Sequence, residues 1–106
     1  QVPYFEEGNP DREKHGQLRR ACEQHRMVSV QYRDAEGNQT KRKLWPLGLT
    51  YWGEKWTLVA WCEKREDYRH FRIDRIQTLN IEAQYYPQHP QRCLAHFMAQ
   101  LKQQTQ

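Results

Sequence analysis

Leu18, Ala21, Cys22 and His25 recur at the spacing of one helix face. The opposite face carries Arg12, Glu13, Arg19, Arg20 and Glu23 and belongs in water. Asn9 is placed to cap this helix, with Pro10 at its first position, and Gly16 weakens it. Residues 1–9 ahead of it are expected to form an irregular arm. At Met27 the period drops to two. Val28, Val30 and Tyr32 alternate with Ser29, Gln31 and Arg33, the pattern of a half-buried strand. Asp34 to Asn38 reads as a hairpin loop, and a second strand runs from about Thr40 to Tyr51. Pro46 cannot donate a ladder hydrogen bond and marks an edge or a bend there. Trp52-Gly53-Glu54 turns the chain. Trp56 to Cys62 is apolar on both faces, as in a central strand covered on both sides.

After a turn over Glu63 to Asp67, the stretch Tyr68 to Ile76 reads as a fourth strand with a phase problem. Phe71 and Ile73 share a face, but the same parity would bury Arg75 and expose Ile76. A bulge near Asp74-Arg75 would return Ile76 and Leu79 to the core. Leu79, Ile81 and Ala83 mark a fifth strand. Leu94, Phe97, Met98 and Leu101 mark a short amphipathic helix after Pro90. The expected fold is mainly β with flanking helices. Five short strands would curl into a small barrel, because closure removes the unpaired edges, and the N-terminal helix would cap one end. Residues 10–86 would form that domain, and 87–106 the C-terminal helix and a frayed Gln-rich tail.

The length of 106 residues suits one small domain. The chain starts at Gln1 rather than Met, so it is expected to be a fragment or a processed product. Its three cysteines are odd in number and form no CxxC, which supports neither a disulfide framework nor a zinc ribbon. Cys22 and Cys62 read as small buried hydrophobes in a reducing compartment. No apolar run approaches the ~18 residues of a membrane span, and no signal peptide is visible, so a cytoplasmic location is expected.

A net charge of +4 says little, but its distribution says more. Arg69, Arg72 and Arg75 fall close together, and unpaired arginine is costly to bury. They need acidic partners, solvent or an anionic ligand. One reading is a phosphate-binding cluster re-aimed by the bulge. The other is internal pairing with Glu63, Glu66, Asp67 or Asp74, with Arg75 beside Asp74 the foremost structural member. In Lys41-Arg42-Lys43 the lysines read as a solvated strand face, and Arg42 as the ligand contact. Trp45, Trp52, Trp56 and Trp61 would stack on bases or fill the core. The core reading is the stronger for Trp56 and Trp61, while Trp52, in a turn, is the most exposed. His70 reads as a surface residue that would add pH sensitivity to an anion site. His89, Cys93 and His96 share one helical spacing but lack a fourth metal ligand. No catalytic motif or phosphate-cradling glycine loop is present, and nothing calls for a cofactor.

The segments VSVQYRDAEGNQTKRKLWPLGL and KWTLVAWCEKREDYRHFRIDRI, behind a helix with Leu and Ala on one face, resemble the WYL domain. That domain is the sensory module of many bacterial helix-turn-helix transcription regulators. The resemblance covers residues 15–83 and is strongest at Trp56–Glu63 and Tyr68–Ile76. Tyr32, Arg42, Pro46 and Leu47 fit its earlier positions, and Trp56, Leu58 and Phe71 its later ones. It implies an Sm-like five-stranded barrel and a ligand-sensing role, with nucleic acid, single-stranded DNA above all, as ligand class. The tripeptide that names the family reads Trp56-Thr57-Leu58 here, so a hydroxyl stays and an aromatic ring is lost. The family's winged helix-turn-helix and further C-terminal domain are not among these residues. The expected site is a basic rim of Arg42, Thr57, Arg69, His70, Arg72 and Arg75. It would take single-stranded nucleic acid or a nucleotide and control a DNA-binding domain elsewhere, with no membrane involved. The alternatives are an interaction module forming a homodimer without a ligand of its own, and an Sm-like RNA-binding protein acting alone.

Overall fold

A computed structural model describes residues 10–104, with Pro10 and Trp52 described by backbone alone. The expected arm over residues 1–9, the Asn9 cap, the Trp52 side chain and residues 105–106 lie outside the described residues. Helix α1 (Pro10–Gln24) leads into strands β1 (Arg26–Arg33), β2 (Gln39–Trp52), β3 (Lys55–Cys62) and β4 (Asp67–Arg72). A 3-10 turn (Ile73–Arg75), strand β5 (Ile76–Tyr85) and helix α2 (Leu94–Gln104) complete the order. Leu18 and Ala21 of α1 are fully buried against the sheet, as their spacing requires. His25 departs from the expected helix face. It ends α1 in the left-handed region (φ 56°), and its ring lies 5.2 Å from that of Tyr86. The chain must reverse there to enter β1, and one left-handed residue accomplishes this.

The strands form one antiparallel sheet in the order β4-β3-β2-β1-β5. Val28, Val30, Leu44, Leu58, Ala60, Cys62, Phe71, Ile73 and Ile76 fill the main core beneath α1. The sheet does not close into the expected barrel. Among the described residues β4 pairs with β3 alone and β5 with β1 alone. The residues that would extend a β4–β5 ladder are taken up by the 3-10 turn that carries the chain between the two sheet edges. That turn also replaces the expected bulge at Asp74-Arg75. Three residues per turn bring Ile73 and Ile76 to the same side, and both are buried.

Pro46 lies where β2 bends. Its pairing to β3 skips Leu47, with Pro46 opposite Ala60 and Gly48 opposite Val59. On its other side the ladder to β1 ends at Leu44, so the missing N–H breaks no bond there. The Pro46 carbonyl instead accepts the Tyr86 hydroxyl.

The opposite sheet face carries a second cluster of Met27, Trp45 and Tyr86, with Leu47 and Trp61 packed against it. Tyr86 stacks on Trp45 at 5.2 Å, and the Arg92 guanidinium lies 4.8 Å over Trp61 and 5.5 Å over Trp45. Trp56 packs on the main core, with the His15 ring edge-on at 4.7 Å. Three of the four tryptophans therefore have protein partners on their rings, as the core reading requires. Helix α2 lies on β3 and β4 of this face. Phe97 sits 5.2 Å from Tyr68 and 5.0 Å from His70, ring to ring. Gly48 lies under Leu94 so closely that a Cβ there would stand 2.6 Å from Leu94 Cδ2.

Candidate anion-binding site

Strand alternation decides which cations meet. On β3 and β4, Thr57 pairs with Arg72 and Val59 with His70, so these four side chains share the face that carries α2. Lys55 has the same parity as Thr57 on β3. The 3-10 turn then swings Arg75 toward the same place. The result is a hollow lined by Tyr32, Gly53, Lys55, Thr57, His70, Arg72 and Arg75.

Each wall has a local cause. Gly53 (φ 59°) and Glu54 (φ 63°) make the tight β2–β3 turn that sets Lys55 at the entrance. Thr57 forms the floor. It is 96% buried, and its hydroxyl makes no hydrogen bond among the described residues. The Tyr32 ring packs edge-on against Phe71 at 5.0 Å, and its hydroxyl accepts the Arg72 backbone N–H at 3.1 Å. Tyr32 thus joins β1 to β4 where no ladder spans them. The His70 ring is backed by Phe97 of α2, and burial, then the Arg69 charge, lowers its pKa below the ordinary histidine value.

Arg72 holds Asp74 through two bonds, Nε to Oδ1 at 3.0 Å and Nη2 to Oδ2 at 2.6 Å. This reverses the expected pairing. A 3-10 turn starting at Ile73 folds Asp74 back over Arg72, and Arg75 forms no ion pair within 4.0 Å among the described residues. The bonds from Arg72 hold the Asp74 carboxyl below the usual carboxylate range against its partial burial. The charges of Arg72, Lys55 and Arg75 act in the same direction. One guanidinium fork is therefore oriented by a carboxylate, while Lys55 and Arg75 keep cationic heads beside it.

Of the six expected site residues, the structure brings together Thr57, His70, Arg72 and Arg75. Arg69 is in register with Ala60, one residue out of phase with His70 and Arg72, and leaves β4 from the other face. Arg42 is in register with Val30, donates to the Lys41 carbonyl at 3.1 Å, and borders a separate depression with Ser29, Gln31, Lys41, Lys43, Thr78 and Asn80. The expected single rim is thus divided. Lys55 was missed, although its i, i+2 relation to Thr57 carried the signal. Gly53 was missed because a turn's position over a strand face depends on the whole hairpin.

His89 and His96 make hydrogen-bond contacts of their own. Helix α2 starts only at Leu94, so His89 and Cys93 are not on a shared helix face with His96. His89 Nδ1 accepts the Gln91 N–H at 3.0 Å, and His96 Nδ1 lies 2.7 Å from the Tyr68 hydroxyl. Burial pushes the Cys22 thiol up to about 12. Among the described residues no helix is long and apolar enough to cross a membrane.

Comparison with known proteins accords with this architecture. Residues 13–81 match the WYL domain. The DNA-binding transcriptional repressor CapW of Escherichia coli (strain KTE188) is 39% identical over 61 residues, covering 57% of this chain and 20% of the relative. A second Escherichia coli CapW gives the same figures. The chain thus spans about a fifth of the curated relatives it matches. Proteasome accessory factor B/C (PafBC) of Arthrobacter aurescens superposes with a TM-score of 0.68 at 21% identity, covering 76% of this chain and 13% of that one. That likeness concerns the fold. With the matched segment spanning α1 to β5, the chain belongs to the WYL domain family.

Proposed function

We propose that this chain is the ligand-sensing part of a cytoplasmic bacterial transcription regulator, and that its hollow takes single-stranded DNA or a nucleotide-like anion. The observation that carries the reading is the convergence of Lys55, His70, Arg72 and Arg75 around the buried Thr57. Guanidinium and ammonium groups suit phosphate oxygens, and Asp74 pre-orients one of them. Ligand binding would bias the placement of a DNA-binding domain elsewhere in the full-length regulator, provided the two arrangements bind it unequally. The CapW relatives are DNA-binding transcriptional repressors by name, which supports a DNA-binding output here.

The test is a titration of short single-stranded DNA at several salt concentrations, against wild type and an Arg72→Ala, Arg75→Ala double variant. Two or three neutralised phosphates give a slope of about −1.4 to −2 in log K against log salt for a single strand. The double variant should lose most of the affinity and flatten the slope. Equal affinity in both proteins would remove the site.

A second reading is a homodimer. It is favoured by the outer edge of β5, ten residues long, which carries no partner strand among the described residues. A sedimentation mass of two chains that ignores added oligonucleotide would favour this reading over ligand sensing.

A further inference from the structure

Given that anion-site reading, we infer that the hollow recognises a phosphate monoester, the terminal phosphate of a short oligonucleotide or of a mononucleotide, rather than the interior of a nucleic-acid strand. Charge, shape and a hydroxyl on the floor bear on this independently.

Lys55, Arg72 and Arg75 bring three positive charges, against the one negative charge of Asp74, for a net of two with His70 neutral. Glu54, in the adjoining turn, does not line the hollow. A phosphate monoester carries about −1.5 to −2 at neutral pH, whereas an internal diester carries a single charge. The site's charge therefore matches the monoester.

Shape restricts the ligand further. On the sheet face that holds Thr57 and His70, the next positions inward are Val59 and Trp61. Val59 is fully buried and Trp61 lies under Arg92. Phe97 stands against His70, and Leu94 against Gly48. Helix α2 therefore stands on the sheet next to His70, on the inner side of the hollow. The cations that would have extended a track lie elsewhere, Arg69 on the opposite face of β4 and Arg42 beside the separate depression. With α2 standing beside His70 and no further cation lining it among the described residues, the hollow suits a chain terminus or a single nucleotide better than an extended strand.

The floor supplies the third observation. Thr57 lines the hollow and is 96% buried as a residue, and its hydroxyl makes no hydrogen bond among the described residues. A monoester has three terminal oxygens to distribute among such donors, where an internal diester presents two.

The decisive experiment measures fluorescence anisotropy of a short thymidine oligonucleotide labelled at its 3′ end, with either a 5′-phosphate or a 5′-hydroxyl, at fixed low salt. The 5′-phosphate form should bind at least about tenfold tighter, the scale of one added charge-assisted hydrogen bond. The preference should shrink as pH falls through about 6, where the monoester loses its second charge. Thr57→Val keeps the shape and removes the hydroxyl. It should reduce the preference several-fold with an unchanged thermal midpoint, while Arg75→Ala should abolish it. Competition with thymidine monophosphate, thymidine and inorganic phosphate separates the sources. Displacement by the monophosphate alone assigns a nucleotide, and displacement by inorganic phosphate as well assigns the phosphate group by itself. Equal binding of both oligonucleotides, lost together in the Arg72→Ala, Arg75→Ala variant, would overturn the terminal-phosphate inference and leave the anion site standing. Binding of neither would overturn both.

Discussion

Tyr68→Phe tests how α2 is held on the sheet, and hence what backs the hollow at His70. The Tyr68 hydroxyl lies 2.7 Å from His96 Nδ1, 3.0 Å from the Gln91 carbonyl and 3.3 Å from the Cys93 carbonyl, and it accepts the Cys93 N–H at 3.3 Å. It has one proton to give, so its contribution is one strong donation and one acceptance rather than four bonds. At ~0.5–1.5 kcal/mol net per neutral hydrogen bond, losing both should cost about 1–3 kcal/mol, nearer the low end because the site is only partly buried. The ring contacts with Trp61, at 5.2 Å, and Phe97 survive the change. For a domain of this size ~1 kcal/mol corresponds to roughly 4–8 °C in the thermal midpoint. Urea unfolding should show a lower midpoint with an unchanged slope, because the surface exposed on unfolding is the same. Amide hydrogen exchange should rise first in α2. Tyr68→Phe combined with His96→Ala should cost less than the sum of the two, since each removes the same bond. A midpoint within ~1 °C of wild type, or strict additivity with His96→Ala, would refute the idea that this hydroxyl pins the helix.

Two further outcomes follow from the packing and the titratable groups. Gly48→Ala places a methyl 2.6 Å from Leu94 Cδ2, so the half-buried Leu94 side chain must turn; the cost by urea unfolding should be about 1 kcal/mol or less, the scale of a rotamer change, and Leu94→Ala on the same background should recover it. His15 and His70 both have pKa values lowered by burial, then by Arg19 and Arg69 respectively. The unfolded chain takes up these protons near pH 6.5 and the folded one only at lower pH. Stability is thus full above ~6.5, falls as pH drops below it, and levels off beneath the folded-state values. Thermal midpoints at mildly acidic and mildly alkaline pH check this, and a flat profile would contradict it.

Most of the element order was legible because hydrophobic period is a local property. The change from helical spacing at Leu18, Ala21 and Cys22 to alternation at Val28, Val30 and Tyr32 needs no knowledge of partners. The two-sided burial of β3 was legible for the same reason, since apolar residues at both parities leave no face for water. The family resemblance was carried by ordered motifs within those same strands.

The sheet's closure and the grouping of the arginines depended on the three-dimensional fold. Residues 73–75 can rejoin the core through a bulge or through a 3-10 turn, and parity alone does not distinguish the two. The turn leaves the sheet open, turns Asp74 onto Arg72 and releases Arg75 toward Lys55. Arg69 and Arg72 lie three residues apart in the sequence, yet an odd separation on a strand puts them on opposite faces. Lys55 and Arg75 lie twenty positions apart and meet only because β3, β4 and the turn fold around Thr57. Local period decides what each segment is, whereas the meeting of charges is set by register and turn geometry, which arise only when the whole sheet assembles.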